Sequence, residues 1–217
     1  MIDQELEEFV SLLESYLSKL DRPLHGLEMF SREGSWVTHK YTNLVNEMEC
    51  WEINQKYISA LSDNLPIAKV KQVDSIEYAR RCADRFNFIS LDNPQGTFGD
   101  YCEHFEALPA ALKILSEKSV ITFPVNIMPY LKKSKKPIDD YGMASHSVWF
   151  ERRDEFYGLD AGKLDLGFVS EFYVKYFSKH SFHVRFSSTT LFKSVVENHP
   201  DYFVRYAALI SKTSEDI

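Results

Sequence analysis

The chain has 217 residues, of which 44% are hydrophobic, and it carries a formal net charge of −7. A chain of this length and apolar content can bury a core as one domain, which excludes an intrinsically disordered protein. The negative charge argues against a broad nucleic-acid-binding surface, although a local basic patch could still bind one.

An amphipathic helix is predicted over residues 3–20, within an N-terminal helical segment 1–22. Its apolar residues recur on one face at helical spacing. They are Phe9, Val10, Leu13, Leu17 and Leu20. Arg22-Pro23 ends the helix, because proline disfavours helical backbone in the residue before it.

Short apolar runs then alternate with helical patterns. Strands are predicted at 26–30, 48–51, 69–73, 86–91 and 119–125. Helices are predicted between them, near 36–45, 54–65, 76–83 and 100–115, with Ser75 as the N-cap of the third and Pro109 as a kink in the fourth. This alternation is typical of a parallel sheet with helices on both faces.

The C-terminal third departs from that alternation. Residues 126–158 are rich in Lys, Pro, Asp and aromatic residues, and they predict a long irregular insertion. A helix is predicted at 164–179. The strand-like runs 182–186 and 202–210 have no amphipathic helix between them, so we expect them to pair antiparallel.

Residues 27–52 have the pattern of a nucleotide-binding unit. A strand ends in a loop with Gly34, a helical pattern follows, and a second strand ends on Glu52. Such a loop brings backbone N–H groups and a helix N-terminus to a ligand, and the acid can accept hydrogen bonds from ribose hydroxyls. The pattern predicts a nucleoside-bearing cofactor.

The order of elements over residues 24–211 resembles that of class I S-adenosylmethionine-dependent methyltransferases. The resemblance implies a doubly wound, Rossmann-like α/β fold with three α/β/α layers. Its seven-stranded sheet would be mostly parallel, with an antiparallel C-terminal strand. It also implies a single domain over 1–217, S-adenosylmethionine as the cofactor, and a substrate-side position for the insertion 126–158.

Several residues match the family's cofactor motifs. Glu28, Phe30, Gly34 and Thr38 match the first motif, whereas Arg32 stands where the first loop glycine is usual. Arginine disfavours positive φ, and its bulk would lie near the methionine part of the cofactor. The cofactor-binding set that the resemblance implies is Glu28, Phe30, Ser31, Gly34, Thr38, Glu52, Ile53, Asp74 and Ser75.

Within that set, Glu52 corresponds to the ribose-binding acid and Ile53 to the residue along the adenine face. Asp74 corresponds to the residue that accepts from the adenine amino group. Each acid also has a simpler interpretation: Glu52 as a solvated acid after a strand, and Asp74 as a helix cap.

Residues 92–96 occupy the place of the family's fourth motif, which in amino-group methyltransferases holds the target NH₂. Asn93-Pro94 matches its first half, whereas Gln95-Gly96 lacks the second proline and the stacking ring. Phe98 or Tyr101 could supply that ring from a shifted position. The catalytic candidates are Asp92, Asn93, Pro94 and Gln95.

Two further patterns leave alternatives open. Cys102 and His104 lie two apart in a helical pattern and point in different directions, so no metal site is predicted, while His104 stays a candidate general base. The basic residues after the fifth strand are either a solvated loop or phosphate contacts for a nucleic acid. They are Lys132, Lys133, Lys135, Lys136, Arg152 and Arg153.

The resemblance implies transfer of a methyl group to an NH or OH nucleophile. A nucleic-acid base is the leading acceptor, and a small molecule or a protein side chain remains an alternative. The second hypothesis is a catalytically inactive, methyltransferase-like binding or scaffold protein that acts in a complex with a protein partner. The three scattered cysteines are typical of reduced thiols and predict a cytoplasmic protein. No apolar stretch approaches membrane-spanning length, so no membrane contact is predicted.

Overall fold

The computed structural model describes residues 2–35, 37–92, 103–126, 146–158, 164–193 and 202–213. These residues form one seven-stranded sheet with helices on both faces. The strands are β1 His25–Met29, β2 Glu47–Glu52, β3 Ala68–Gln72, β4 Phe86–Leu91, β5 Leu115–Asn126, β6 His183–Lys193 and β7 Tyr202–Ser211.

The strands lie in the order β3-β2-β1-β4-β5-β7-β6. The first five pair in parallel, whereas β7 pairs antiparallel with both β5 and β6. The strand order reverses between β1 and β4, which in such sheets opens a crevice at the carboxyl ends of the strands. The predicted fold class, including the antiparallel final strand, is therefore confirmed.

Seven α-helices cover the sheet in the described part of the chain. They are α1 Ile2–Leu17, α2 Thr38–Tyr41, α3 Gln55–Asn64, α4 Ser75–Arg81, α5 Glu103–Lys113, α6 His146–Tyr157 and α7 Leu166–Lys179. A 3-10 turn, Thr42–Leu44, follows α2. None of these helices is both long enough and apolar enough to cross a membrane.

One apolar cluster covers each face of the sheet. On one face α1, α2 and α3 contribute to a cluster that includes Phe9, Leu13, Tyr41, Leu61 and Phe88. On the other face α4, α5 and α7 contribute to a cluster that includes Trp51, Leu108, Phe123, Tyr173 and Phe177. Each large buried side chain stabilises the fold by about 1.5–3 kcal/mol, so the two clusters hold both helical layers on the sheet.

Two expectations about helix ends are wrong. Ser75 is the first residue of α4 rather than its N-cap, because Asp74 accepts the N–H groups of Ile76 and Glu77, both at 2.9 Å. The N-terminal helix ends at Leu17 and not near residue 20. Beyond it the backbone tightens into bonds three residues apart, Lys19 to Tyr16 and Leu20 to Leu17.

Three predicted segments also differ in detail. The insertion 126–158 is not irregular throughout, since α6 occupies residues 146–157. The apolar and charged residues of α6 do not segregate to separate faces, so periodicity could not detect it. The helix predicted at 36–45 is one short turn plus the 3-10 turn, and α5 continues through Pro109.

Candidate functional site

The loop after β1 turns sharply at the crevice. Ser31 donates its backbone N–H to the Trp51 carbonyl at 3.1 Å, and Gly34 donates to the Ser31 carbonyl at 2.9 Å. Phe30, Arg32 and Gly34 all have positive φ, at 64°, 47° and 66°. This backbone brings the loop to the carboxyl ends of β1 and β2, where the N–H groups of Ser31 and Gly34 donate to protein carbonyls.

Gly34 is required by both backbone conformation and packing. Its φ of 66° is one that L side chains rarely adopt, and a Cβ there would lie 2.7 Å from Leu65 Cδ1 and 2.8 Å from Leu61 Cδ1. Both leucines are buried, Leu61 within α3 and Leu65 directly after it. Glycine at this position therefore lets the loop pack against the α3 region.

Glu52 joins the loop to the end of β2. Its Oε2 accepts the Arg32 backbone N–H at 2.8 Å, and its Oε1 accepts the Asn54 backbone N–H at 2.6 Å. The residue is 5% exposed. Each carboxylate oxygen has two lone pairs, so Glu52 retains acceptor capacity for a ligand hydroxyl after both backbone bonds are made.

Arg32 does adopt positive φ, so the expectation that arginine would avoid this conformation is wrong. Its guanidinium carbon lies 5.2 Å from the centre of the Tyr57 ring on α3, and Nη2 donates to the Tyr57 hydroxyl at 3.4 Å. Nε lies 3.5 Å from the Glu33 carboxylate. The side chain is thus placed along α3, and its backbone N–H serves the loop.

Glu28 lies beneath this loop in a fully buried polar cluster. Its Oε1 accepts the Thr38 hydroxyl at 2.6 Å, and its Oε2 lies 2.7 Å from the hydroxyl of Tyr41, which is itself 2.9 Å from Ser90 Oγ. Burial, together with the charge of Asp92, raises the pKa of Glu28 to about 8. This environment favours the protonated form of Glu28 over its charged form.

Asp92 follows β4 and lies next to the same cluster. Its backbone N–H donates to the Met29 carbonyl at 3.0 Å, and its Oδ1 accepts from Arg205 Nη2 on β7 at 3.2 Å. Burial raises the pKa of the Asp92 carboxyl, and the Arg205 guanidinium opposes that shift. The structure thus brings an acid from each of β1 and β4 together with a cation from the last strand.

Sequence reasoning missed Arg205 and Tyr41. The signal for Arg205 is a single charge within the apolar run of residues 202–210. Arg205 is itself 1% exposed, so its guanidinium is held inside the protein. No local pattern marked Tyr41, which became part of the cluster through the packing of α2 on the sheet.

The remaining cofactor candidates lie around the loop. The Ser75 hydroxyl accepts the Phe30 backbone N–H at 3.4 Å, and the Ser31 hydroxyl donates to the Glu28 carbonyl at 3.0 Å. Ile53 is 61% exposed directly after Glu52. Asp74 is exposed and uses Oδ1 to cap α4, which matches its simpler interpretation while leaving its carboxylate at the surface.

Several predicted residues lie outside the described part of the chain. These are the motif residues Asn93, Pro94 and Gln95, the ring candidates Phe98 and Tyr101, the cluster Lys132, Lys133, Lys135 and Lys136, and Cys102 together with the His104 side chain. Of the two arginines grouped with the lysines, Arg152 Nη1 lies 3.1 Å from Glu106 Oε1, and Arg153 is fully buried. Arg152 and Arg153 therefore do not form a shared surface patch.

No protein-family model matches this sequence, and no curated protein is similar to it at a significant level. The fold is similar to that of a candidate RNA methyltransferase from Pyrococcus horikoshii, with a TM-score of 0.59 and 15% identity over 96% of this chain and 83% of that protein. The plantazolicin methyltransferase BpumL, solved with S-adenosylhomocysteine, has a TM-score of 0.56 and 16% identity over 96% and 85%.

The N-methyltransferase NodS from Bradyrhizobium japonicum has a TM-score of 0.55 and 10% identity over 96% of this chain and 98% of its own. Identities this low establish a shared fold and leave activity to be argued from the site. The chain therefore has the fold of class I methyltransferases, as the sequence resemblance implied.

Proposed function

We propose that this chain binds S-adenosylmethionine and transfers its methyl group to an NH or OH acceptor. The observation that carries the proposal is Glu52, which ends β2 and holds the loop after β1 through the Arg32 N–H; β1 borders the reversal of strand order. Open α/β sheets bind ligands in the crevice at such a reversal, and an acid at this place accepts hydrogen bonds from ribose hydroxyls.

The residues around Glu52 fit this cofactor. Glu52 would hold the ribose with its remaining lone pairs, and the exposed Ile53 would lie along the adenine ring. Asp74, exposed at the start of α4, would accept from the adenine amino group. The remaining members of the set would shape the pocket for the methionine part. They are Glu28, Phe30, Ser31, Gly34, Thr38 and Ser75.

S-adenosylmethionine supplies a methyl carbon made electrophilic by its sulfonium. The protein must hold the lone pair of the acceptor in line with the methyl–sulfur bond and exclude water. Asp92 lies at the carboxyl end of β4, beside the loop, where its carboxylate can accept a hydrogen bond from an NH or OH group. The residues that follow Asp92 would also orient the NH or OH group of the acceptor. They are Asn93, Pro94 through its carbonyl, and Gln95.

A nucleic-acid base is the acceptor that we favour. Asn93-Pro94 matches half of the motif that holds an exocyclic amine, and one protein of similar fold is a candidate RNA methyltransferase. Lys132, Lys133, Lys135 and Lys136 would contact phosphates, with Arg152 nearby in sequence. A base within a duplex would have to be flipped out of the stack, whereas a single strand would present it directly.

A small molecule or a protein side chain is the alternative acceptor. Proteins of similar fold include the plantazolicin methyltransferase and the N-methyltransferase NodS. The net charge of −7 also favours a substrate that is less acidic than a nucleic acid.

The second candidate function is a methyltransferase-like binding or scaffold protein without activity, acting with a protein partner. Arg32 favours it, because a bulky residue with φ of 47° stands in the cofactor loop. The backbone bonds that Glu52 already makes also reduce its capacity for a ligand. A protein that no longer binds the cofactor would keep this fold, whereas the residues of its pocket would be free to change.

Transfer of a labelled methyl group separates these functions. The purified chain is incubated with S-adenosylmethionine labelled in its methyl group and, in turn, total RNA, DNA, a protein extract and a small-metabolite extract. We expect label in RNA, and we expect Asp92→Asn to reduce it at least tenfold. Label in the protein or metabolite fraction would assign the alternative acceptor. Absence of both cofactor binding and label in every fraction would favour the scaffold.

A further inference from the structure

The buried arginine of the last strand reaches the site from a distant part of the chain. Arg205 Nη2 donates to Asp92 Oδ1 at 3.2 Å, across 113 residues of sequence. This contact depends on the sheet order, since β7 lies beside β5, which in turn pairs with β4. The insertion of the final strand thereby delivers a cation to the carboxyl end of β4.

Stability alone does not explain Arg205. Among the residues that the structure describes, no hydrogen-bond acceptor lies against its Nε or Nη1. Phe9 on α1 lies 5.4 Å from the guanidinium carbon and offers its ring face. Burying a guanidinium costs several kcal/mol, and replacing a whole buried ion pair by apolar residues of similar volume is often neutral or stabilising. The bond to Asp92 is therefore the property that distinguishes arginine here.

Charged and acidic groups from several elements surround Asp92. Glu28, the nearby carboxyl on β1, is fully buried and takes its hydrogen bonds from α2. Arg205 faces Asp92 from β7, while Arg32 and Glu33 act on it from the loop with opposite signs. Of these two acids, Asp92 is the one that accepts a hydrogen bond from the Arg205 guanidinium.

We propose that Arg205 is a positioning residue for the methyl acceptor. It holds Oδ1 of Asp92 at the carboxyl end of β4 and leaves Oδ2 to accept a hydrogen bond from the NH or OH group of that acceptor. This role rests on the proposed methyl transfer. It extends the site to the C-terminal strand and, through Phe9, to the N-terminal helix. Arg205 would act through Asp92 rather than through a contact of its own with cofactor or substrate.

The test is the titration of Asp92 in protein labelled with ¹³C at aspartate side-chain carboxyls, followed by NMR without cofactor. The Asp92 signal is assigned by its loss in Asp92→Asn. We expect Arg205→Met to raise the Asp92 midpoint by about one pH unit or more, because an adjacent cation lowers a carboxyl pKa by about that amount. Arg205→Lys should give a smaller rise, since the charge is kept and the fork geometry is lost.

Arg152→Met is the matched control, because Arg152 pairs with Glu106. It should leave the Asp92 midpoint unchanged. If Arg205→Met does not fold, Arg205→Lys carries the same comparison. An Asp92 midpoint that is unchanged in a folded Arg205 variant would overturn the positioning role.

A second readout separates this inference from the proposed function. In the labelled-methyl assay, Arg205→Lys should lower kcat and leave the KM for S-adenosylmethionine unchanged, because Asp92 faces the acceptor. If the Arg205 variants shift the Asp92 midpoint but the wild-type chain binds no S-adenosylmethionine, the proposed methyl transfer is overturned, and with it the role of Arg205 in positioning the methyl acceptor. If Arg205→Lys raises the KM for S-adenosylmethionine and leaves kcat unchanged, positioning of the methyl acceptor is also contradicted.

Discussion

The Glu52 carboxylate accepts the backbone N–H of Arg32 at 2.8 Å, linking the end of β2 to the loop that follows β1. Because the donor is the backbone, the identity of the Arg32 side chain does not affect this bond. The side chain lies instead against Tyr57 on α3. An arginine can therefore occupy a place where glycine is usual, while the loop keeps a conformation suited to a nucleoside ligand.

Replacement of Arg32 tests this relationship. We expect Arg32→Gly to keep the affinity for S-adenosylhomocysteine within about threefold of the wild-type value, because the bond to Glu52 uses the backbone N–H and the Arg32 side chain lies against Tyr57. A threefold change corresponds to less than about 1 kcal/mol of binding free energy. Calorimetric titration measures the difference. A strong gain in affinity would show instead that arginine tunes the natural loop away from the cofactor.

Gly34 provides a stability test with an internal control. Gly34→Ala should lower the free energy of unfolding by about 2 kcal/mol or more, since left-handed strain adds to the approach of Leu65 and Leu61. Gly158 has a similar φ of 69°, but a Cβ added there would meet nothing within 4 Å. Gly158→Ala should therefore cost only about 1 kcal/mol. Urea denaturation compares the two, and equal losses would contradict the packing role.

The proton on Glu28 predicts how stability depends on pH. The pKa of this carboxyl is about 8 in the folded protein and about 4.5 as its ordinary value, so the folded state binds the additional proton between these pH values. The free energy of unfolding should then fall as pH rises from about 5 to 8, by up to about 1.4 kcal/mol per pH unit.

Glu28→Gln removes that titration and should flatten the profile over the same window. Denaturation at a series of pH values measures it, with the exposed Glu47→Gln as the control. A wild-type stability that rises steadily across that window would show that Glu28 is ionised in the folded protein.

Asp74 combines a structural contact with a proposed ligand contact. Asp74→Ser should keep the unfolding free energy within about 0.5 kcal/mol, because serine is also a good N-cap. It should weaken S-adenosylmethionine binding about tenfold, since the shorter side chain cannot reach the adenine amino group. An unchanged affinity of Asp74→Ser for S-adenosylmethionine would show that Asp74 serves only as the N-cap of α4.

The fold was predictable because its signals are local. Apolar runs that end at Glu52 or Asp92 indicated strands, and the missing crossover helix before residue 202 indicated the antiparallel pair. The choice between Asp74 and Ser75 as cap was not predictable, because both are good caps and the end of β3 decides which one precedes the helix.

The site was predictable in part. The sequence indicated the Gly34 loop and Glu52 as site residues, because the loop follows the first predicted strand and Glu52 ends the second. Arg205 could not be placed from the sequence, because its contact with Asp92 depends on which strand lies beside β5. Nor could the position of the Arg32 side chain, because Tyr57 reaches it from a separate helix.

Calorimetric titration of the wild-type protein and Glu52→Ala with S-adenosylmethionine tests the central claim most directly. Glu47→Ala is the matched control, since Glu47 lies at the opposite end of β2 and its side chain is 76% exposed. We predict micromolar binding that Glu52→Ala weakens at least tenfold and Glu47→Ala leaves unchanged. A wild-type protein that binds no S-adenosylmethionine at millimolar concentration would contradict the account.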